Sequence, residues 1–170
     1  MSITLTSLVS PLLFSILDYS EPMNFASIFI FEPPKCEHQV VFPHYPQKVG
    51  VLKYDESVYS AQLHMENSFL RADCSVISLP EDADRNALLK AMLTNQITQI
   101  GGERMMILEY EINDVEARYT GQVVLESTSV MVSGAFYLGE SSVMMLTAID
   151  KHSAQSSPES SRFLASATHF

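Results

Sequence analysis

The side chains in this chain that could do chemistry are few, and their spacing does not gather them. Its five histidines are His38, His44, His64, His152 and His169. None form a pair at i, i+4 on an expected helix, and none stand in a His-Glu-x-x-His run, the spacing that brings two imidazoles to one metal. Glu109 and Glu111 fall on one face of an expected strand, with Asp114 and Glu116 around the turn after it. Calcium wants roughly six to eight oxygens, but no Asp-x-Asp-x-Asp-Gly loop accompanies these carboxylates, and a wet acidic sheet face explains them. Ser133-Gly134 and Gly139-Glu140-Ser141-Ser142 are glycine–serine turns without a Gly-x-Ser-x-Gly elbow. Gly101-Gly102 follows a helical pattern instead of opening one, so it reads as a C-cap and not as a phosphate cradle.

The cysteines, Cys36 and Cys74, make no Cys-x-x-Cys pair, so a structural zinc site is not expected. Thiol catalysis would need a nearby base and an exposed thiolate. Cys74 lies on the apolar side of an alternating strand, the place of a small buried hydrophobe. A Cys36–Cys74 disulfide would require an oxidising compartment. The reading is therefore of no catalytic residue, no cofactor and no metal. Methionine is the one unusual feature. Met105-Met106 and Met144-Met145 fall on two expected strands and Met131 on a third. Core packing accounts for them. If one sheet face is open, Met105, Met131 and Met144 would instead line a groove for an apolar segment of a protein partner, since methionine adapts to varied surfaces.

These residues need elements to hold them. At 170 residues, 46% hydrophobic and 18% charged, the chain suits one domain with a real core. A formal charge of −10 repels nucleic acid phosphates and anionic lipid; it reads as a solvated acidic surface that helps solubility, with a basic partner as the alternative. Residues 1–17 carry no charge, and no Lys or Arg precedes Lys35. A secretory signal should open on basic residues, and Pro11 interrupts a stretch already too short for a membrane span. Residues 1–37 read as a packed extension or a poor export signal, with a short helix at about 11–18 and a strand at 25–31.

Beyond them, His38 to Phe42 is a short strand entering the rigid turn Pro43-His44-Tyr45-Pro46. Period-two alternation follows. Tyr59, Ala61, Leu63 and Met65 share one face. Leu70, Ala72, Cys74 and Val76 point inward, while Arg71, Asp73 and Ser75 point to water. Leu89, Leu93, Ile97 and Ile100 recur at helical spacing over 84–100, after the acidic caps 81–84 and before Gly101-Gly102. Strand-period residues then run through four strands: Met106, Leu108, Tyr110 and Ile112; Tyr119, Gly121, Val123 and Leu125; Val130, Val132, Phe136 and Leu138; Val143, Met145, Thr147 and Ile149. Ser157-Pro158 opens a last helix with the apolar stripe Phe163, Leu164, Ala167 and Phe170. The fold class is α+β, a mostly antiparallel sheet packed by helices.

This order resembles the PsbP-like family, whose α/β/α sandwich is shared by a photosystem II extrinsic subunit, a yeast Ran-binding release factor and DcrB-like bacterial envelope proteins. The matching pieces are Phe42-Pro43-His44-Tyr45-Pro46, Ser78-Leu79-Pro80-Glu81-Asp82, Gly101-Gly102, Phe136-Tyr137-Leu138-Gly139 and Phe163-Leu164-Ala165-Ser166. They cover residues 38–170, and residues 1–37 have no counterpart. The resemblance implies a non-catalytic protein-binding module of the bacterial cell envelope. The alternative it carries is a cytoplasmic secretion-associated chaperone that grips apolar segments of effectors. A hydrolase or metal enzyme would instead need a deep pocket with converging polar groups.

Overall fold

The period switch at Gly101-Gly102 sets the architecture. Ahead of it, helix α1 spans Arg85–Ile100, opened by Asp84, whose carboxylate accepts from the Ala87 amide at 2.9 Å. Behind it, a short 3-10 turn leads into strand β6, Met105–Ile112. The Gly101 amide closes the helix on the Ile97 carbonyl, and Gly102 takes φ +52°, a conformation that favours glycine. The computed structural model of the protein describes residues 28–52, 55–125, 128–151 and 155–170. The expected helix at 11–18, the first residues of the expected strand at 25–31, and His152 lie outside them.

Two antiparallel meanders make one seven-stranded sheet. The first is β3 (Lys48–Leu52), β4 (Asp55–His64) and β5 (Ser68–Val76). The second is β6, β7 (Glu116–Leu125), β8 (Thr128–Leu138) and β9 (Ser142–Lys151). β5 pairs with β9, so the order is β3-β4-β5-β9-β8-β7-β6. The connection from β5 to β6 must cross half the sheet, and α1 is that crossing. It packs on β6, β7 and β8. Arg85 pins its start by donating to the carbonyls of Leu138 and Gly139 at 2.7 and 2.9 Å.

The opposite face carries a third layer. Helix α2 (Pro158–Leu164) packs on β9, β5 and β8 beside a small sheet of β1 (Phe29–Phe31), β2 (His38–Phe42) and β10 (Thr168–His169). Phe31, Val40, Phe42 and Phe163 meet Leu63, Leu70, Ala72 and Leu146 in one core. A second core joins Leu89 and Leu93 of α1 to Tyr119, Val132 and Phe136. Every strand pair is antiparallel.

Four expectations need correction. Arg71, Asp73 and Ser75 do not form an open wet face: they lie on the α1 side of the sheet, where Asp73 is buried and Arg71 and Ser75 are half-buried. Met106, Leu108, Tyr110 and Ile112 do not share a face. A bulge between Ile107 and Glu109 leaves Met106 opposite Gln122 but Tyr110 opposite Tyr119, and an extra residue inverts the alternation. The last helix stops at Leu164 and is followed by β10, with Phe170 exposed. Ser166 ends it: its hydroxyl donates to the Phe163 carbonyl at 2.7 Å and accepts from the Val41 amide at 3.0 Å. Finally, Cys74 is not a lone buried thiol. It is disulfide-bonded to Cys36, with Cα atoms 6.4 Å apart, and so ties the loop before β2 to the large sheet.

Candidate functional site

Each covering layer spans only part of its face, and the uncovered parts lie on opposite sides. On the α1 face the helix sits over β6, β7 and β8, and a cleft of about 320 Å³ opens where it does not reach over β9 and β5. Met92, Gln96, Gln99 and Ile100 form one wall. Val132, Phe136, Val143 and Ile149 give it an apolar floor, and β5 and β9 add Arg71, Asp73 and Thr147.

The polar groups in the cleft are incompletely partnered. Arg71 donates from Nε to Asp73 Oδ2 at 2.6 Å. Gln96 donates from Nε2 to Thr147 Oγ1 at 2.7 Å. Asp73 is 3% exposed and Gln96 7%, yet Asp73 Oδ1 and Gln96 Oε1 have no hydrogen-bond partner. Leaving a buried acceptor unpaired is costly, so such atoms invite a functional explanation. The sequence carried one signal of this. Gln96 occupies the apolar stripe of α1, spaced 4, 3 and 4 along Leu89, Leu93, Gln96 and Ile100.

On the α2 face the uncovered part is the β6–β7 edge. By register Met106 and Val124 fall on this side, and Leu108 borders a shallow depression there with Glu109, Thr120 and Met131. Met106 is 55% exposed, Leu108 50% and Val124 57%. β6 also ends the sheet order, so one side of its backbone has no strand partner among the described residues.

The three methionines singled out from sequence are not brought together. All are buried. Met105 packs beneath α1 against Val123, whereas Met131 and Met144 lie on the α2 face. The sheet separates them because strand alternation sends Met105 to the α1 side and Met131 and Met144 to the other. Their neighbour Met106 is the one on the surface.

The remaining sequence candidates do not converge on a metal. Among the described residues no group of three or more His, Cys, Asp or Glu could hold an ion. Glu109 and Glu111 are exposed, and Glu116 pairs with Arg118. His38 and His169 meet edge to face with ring centroids 5.1 Å apart. Burial first, then His169, pushes the His38 imidazole pKa down against the opposing pull of Glu37. The turn at Gly139–Ser141 receives a ligand from within the chain. The Glu37 carboxylate accepts from the amides of Glu140, Ser141 and Ser142 at 3.0–3.2 Å and from the Ser142 hydroxyl at 2.9 Å.

In sequence the chain matches no family model and no curated protein. In structure it does have neighbours. The solution structure of cyanobacterial PsbP (CyanoP) from Synechocystis sp. PCC 6803 matches with a TM-score of 0.58 at 9% identity, over 91% of this chain and 99% of that one. The Saccharomyces cerevisiae Ran-binding protein Mog1p matches with a TM-score of 0.52 at 6% identity, over 84% of this chain and 95% of that one. Identities this low speak for the backbone alone. The chain has the PsbP-like α/β/α sandwich fold, which Mog1 shares.

Proposed function

We propose that this protein is a non-catalytic binding module of an oxidising compartment such as the bacterial cell envelope, and that a protein partner docks on the patch around Met106, Leu108 and Val124. The observation that carries the reading is this half-exposed apolar patch on an edge strand. Apolar groups gathered on a surface mark interaction sites, and methionine adapts to the shape it meets. Glu109 and Glu111 beside it, on a chain of net charge −10, favour a basic partner. Mog1 is named for binding Ran, so the same fold serves protein recognition there.

The compartment is supported by the Cys36–Cys74 bond, since cytosolic reductants keep such pairs open. The same bond disfavours the cytoplasmic chaperone.

Two measurements test this. Protein from its native host, denatured and alkylated without reductant, should show neither cysteine modified. Met106→Lys with Leu108→Lys should abolish recovery of the partner that the unaltered chain captures from that host, while the thermal midpoint stays put, because exposed substitutions cost within about 0.5 kcal/mol. Recovery of the same partner by the double variant would refute the patch. Free thiols in the native protein would refute the compartment.

A further inference from the structure

We infer that the free edge of β6 is completed by an extended basic segment of a protein partner, added as a further strand of the large sheet. This rests on the reading that a partner docks beside Met106, and it names the segment that does so. Edge strands expose unpaired N–H and C=O groups, and proteins blunt them with shortness, lysine, proline or bulges. The opposite edge, β3, is five residues long and begins on Lys48. β6 is eight residues long and contains neither lysine nor proline. Its bulge, between Ile107 and Glu109, leaves 109–112 in unbroken register with 120–117. That regular stretch is long enough to pair with a short strand.

Register and charge define the segment. Thr120 and Arg118 lie opposite Glu109 and Glu111, and both reach toward the α2 side. Thr120 accepts from Ser133, which meets Ser156 just before α2. Arg118 donates to the Tyr137 hydroxyl, which donates to the Leu164 carbonyl. Cross-strand partners share a face, so Glu109 and Glu111 stand together on the α2 side, about 7 Å apart along the strand. Both are exposed, and neither makes an ion pair among the described residues. Arg118, directly opposite Glu111, is engaged by Glu116. Tyr110 and Ile112 face the other side, in register with Tyr119 and Ala117, and Tyr110 is 66% exposed. A strand laid along this edge must therefore alternate, with Lys or Arg beside the glutamates and apolar residues beside Tyr110 and Ile112. A second copy of this chain fits poorly. It brings its own charge of −10, β6 against β6 opposes like carboxylates, and β3 offers Lys48 alone.

The test is an amide-shift and calorimetric titration of the full chain with an end-blocked heptapeptide alternating lysine and valine. It should move the signals of 105–112 and give intermolecular backbone contacts to 109–112. Two N-methylated forms separate pairing from charge. Alternate amides of a strand point to opposite edges, so methylating the lysine amides blocks one edge and methylating the valine amides the other. One form should bind at least tenfold more weakly, and the other nearly as well as the parent. A peptide alternating glutamate and valine should not bind. Glu109→Lys with Glu111→Lys should weaken the lysine peptide roughly tenfold and admit the glutamate peptide, because like charges opposed across strands repel. Circular dichroism and the thermal midpoint verify folding, and if this variant fails to fold the methylated pair on the unaltered chain decides. Both methylated forms binding alike, shifts confined to other strands, or no shift at about 5 mM peptide would each overturn the inference. Sedimentation of the chain alone as a dimer with 105–112 already protected would assign the edge to a second copy instead. If the peptide fails while Met106→Lys with Leu108→Lys still abolishes partner capture, the docking patch stands and only its strand-shaped occupant is removed.

Discussion

Asp73 and Asp150 stand on neighbouring strands, β5 and β9, and are almost equally buried at 3% and 2% exposure. They face opposite sides of the sheet and lead different lives. Asp150, on the α2 face, is saturated. It accepts from the hydroxyls of Ser68 and Ser160 at 2.7 and 2.8 Å and from the Ser157 amide at 2.9 Å. Those donors bolt the start of α2 to the sheet. Asp73, on the α1 face, keeps one oxygen without a donor. Burial does not distinguish the two, but satisfaction does. A completed buried network fixes structure, whereas an incomplete one marks the place where the fold leaves work for something else.

The sharpest way to break the α2 face is to unlink it. The Cys36–Cys74 bond closes a loop of 38 residues, and it anchors the small sheet over the large one. Replacing both cysteines by alanine should cost about 4 kcal/mol in urea unfolding, by the loop-closure estimate. A cost near zero would mean that packing of Phe31, Val40 and Phe42 already holds the small sheet in place.

The aspartate pair gives the direct contrast. Asp150→Ala orphans three donors in a dry site and should destabilise by about 3 kcal/mol. Asp73→Ala removes one ion pair with Arg71, whose side chain is 23% exposed and can turn to water, and should cost less than about 1 kcal/mol. Equal costs in urea melts of the two variants would erase the distinction drawn between the faces.

The elements were legible in the sequence because each is written in local chemistry. Asp84 caps α1 as its type and place suggest, Ser157-Pro158 opens α2, and strands β7, β8 and β9 follow period-two alternation. What escaped was decided across the sheet. Arg71, Asp73 and Ser75 look like a wet face when β5 is read alone, and only the tertiary placement of α1 makes them one side of a cleft in which Asp73 is buried. The bulge in β6 lies between two residues that alternate normally on either side, so Met106 and Tyr110 could not be assigned to separate faces. The methionine pairs misled for the same reason: alternation places neighbours on opposite faces, but does not say which of those faces another layer covers. The cleft had a single local trace, Gln96 within an apolar stripe, and a lone glutamine is weak testimony without the geometry around it.

The finest test of the α2 face separates adjacent residues by pH. Partial burial raises the Glu37 carboxyl pKa, but the donors from Ser141, Ser142 and Glu140 outweigh it and hold the group below its ordinary value of 4.5. A carboxyl depressed by folding stabilises the protein above its unfolded pKa, and that contribution is lost as pH falls through the folded value. Glu37 therefore acts only below about pH 4.5. His38, next in sequence, is also shifted down, by burial first and then by His169. For an imidazole this sign means that the unfolded chain takes up the proton first, so stability begins to fall below about pH 6.5. His64, lowered by burial and by Lys48 and Lys151, shares that upper window. Urea midpoints followed downward from pH 7 should thus fall in two stages. Glu37→Gln should cost about 1 kcal/mol at pH 7 and flatten only the lower stage. His38→Phe should shallow the upper stage and leave the lower intact. If Glu37→Gln instead removed the decline between pH 6.5 and 5, the carboxylate would not be held by the Gly139–Ser141 turn, and the small sheet would owe its position to the disulfide and its apolar contacts.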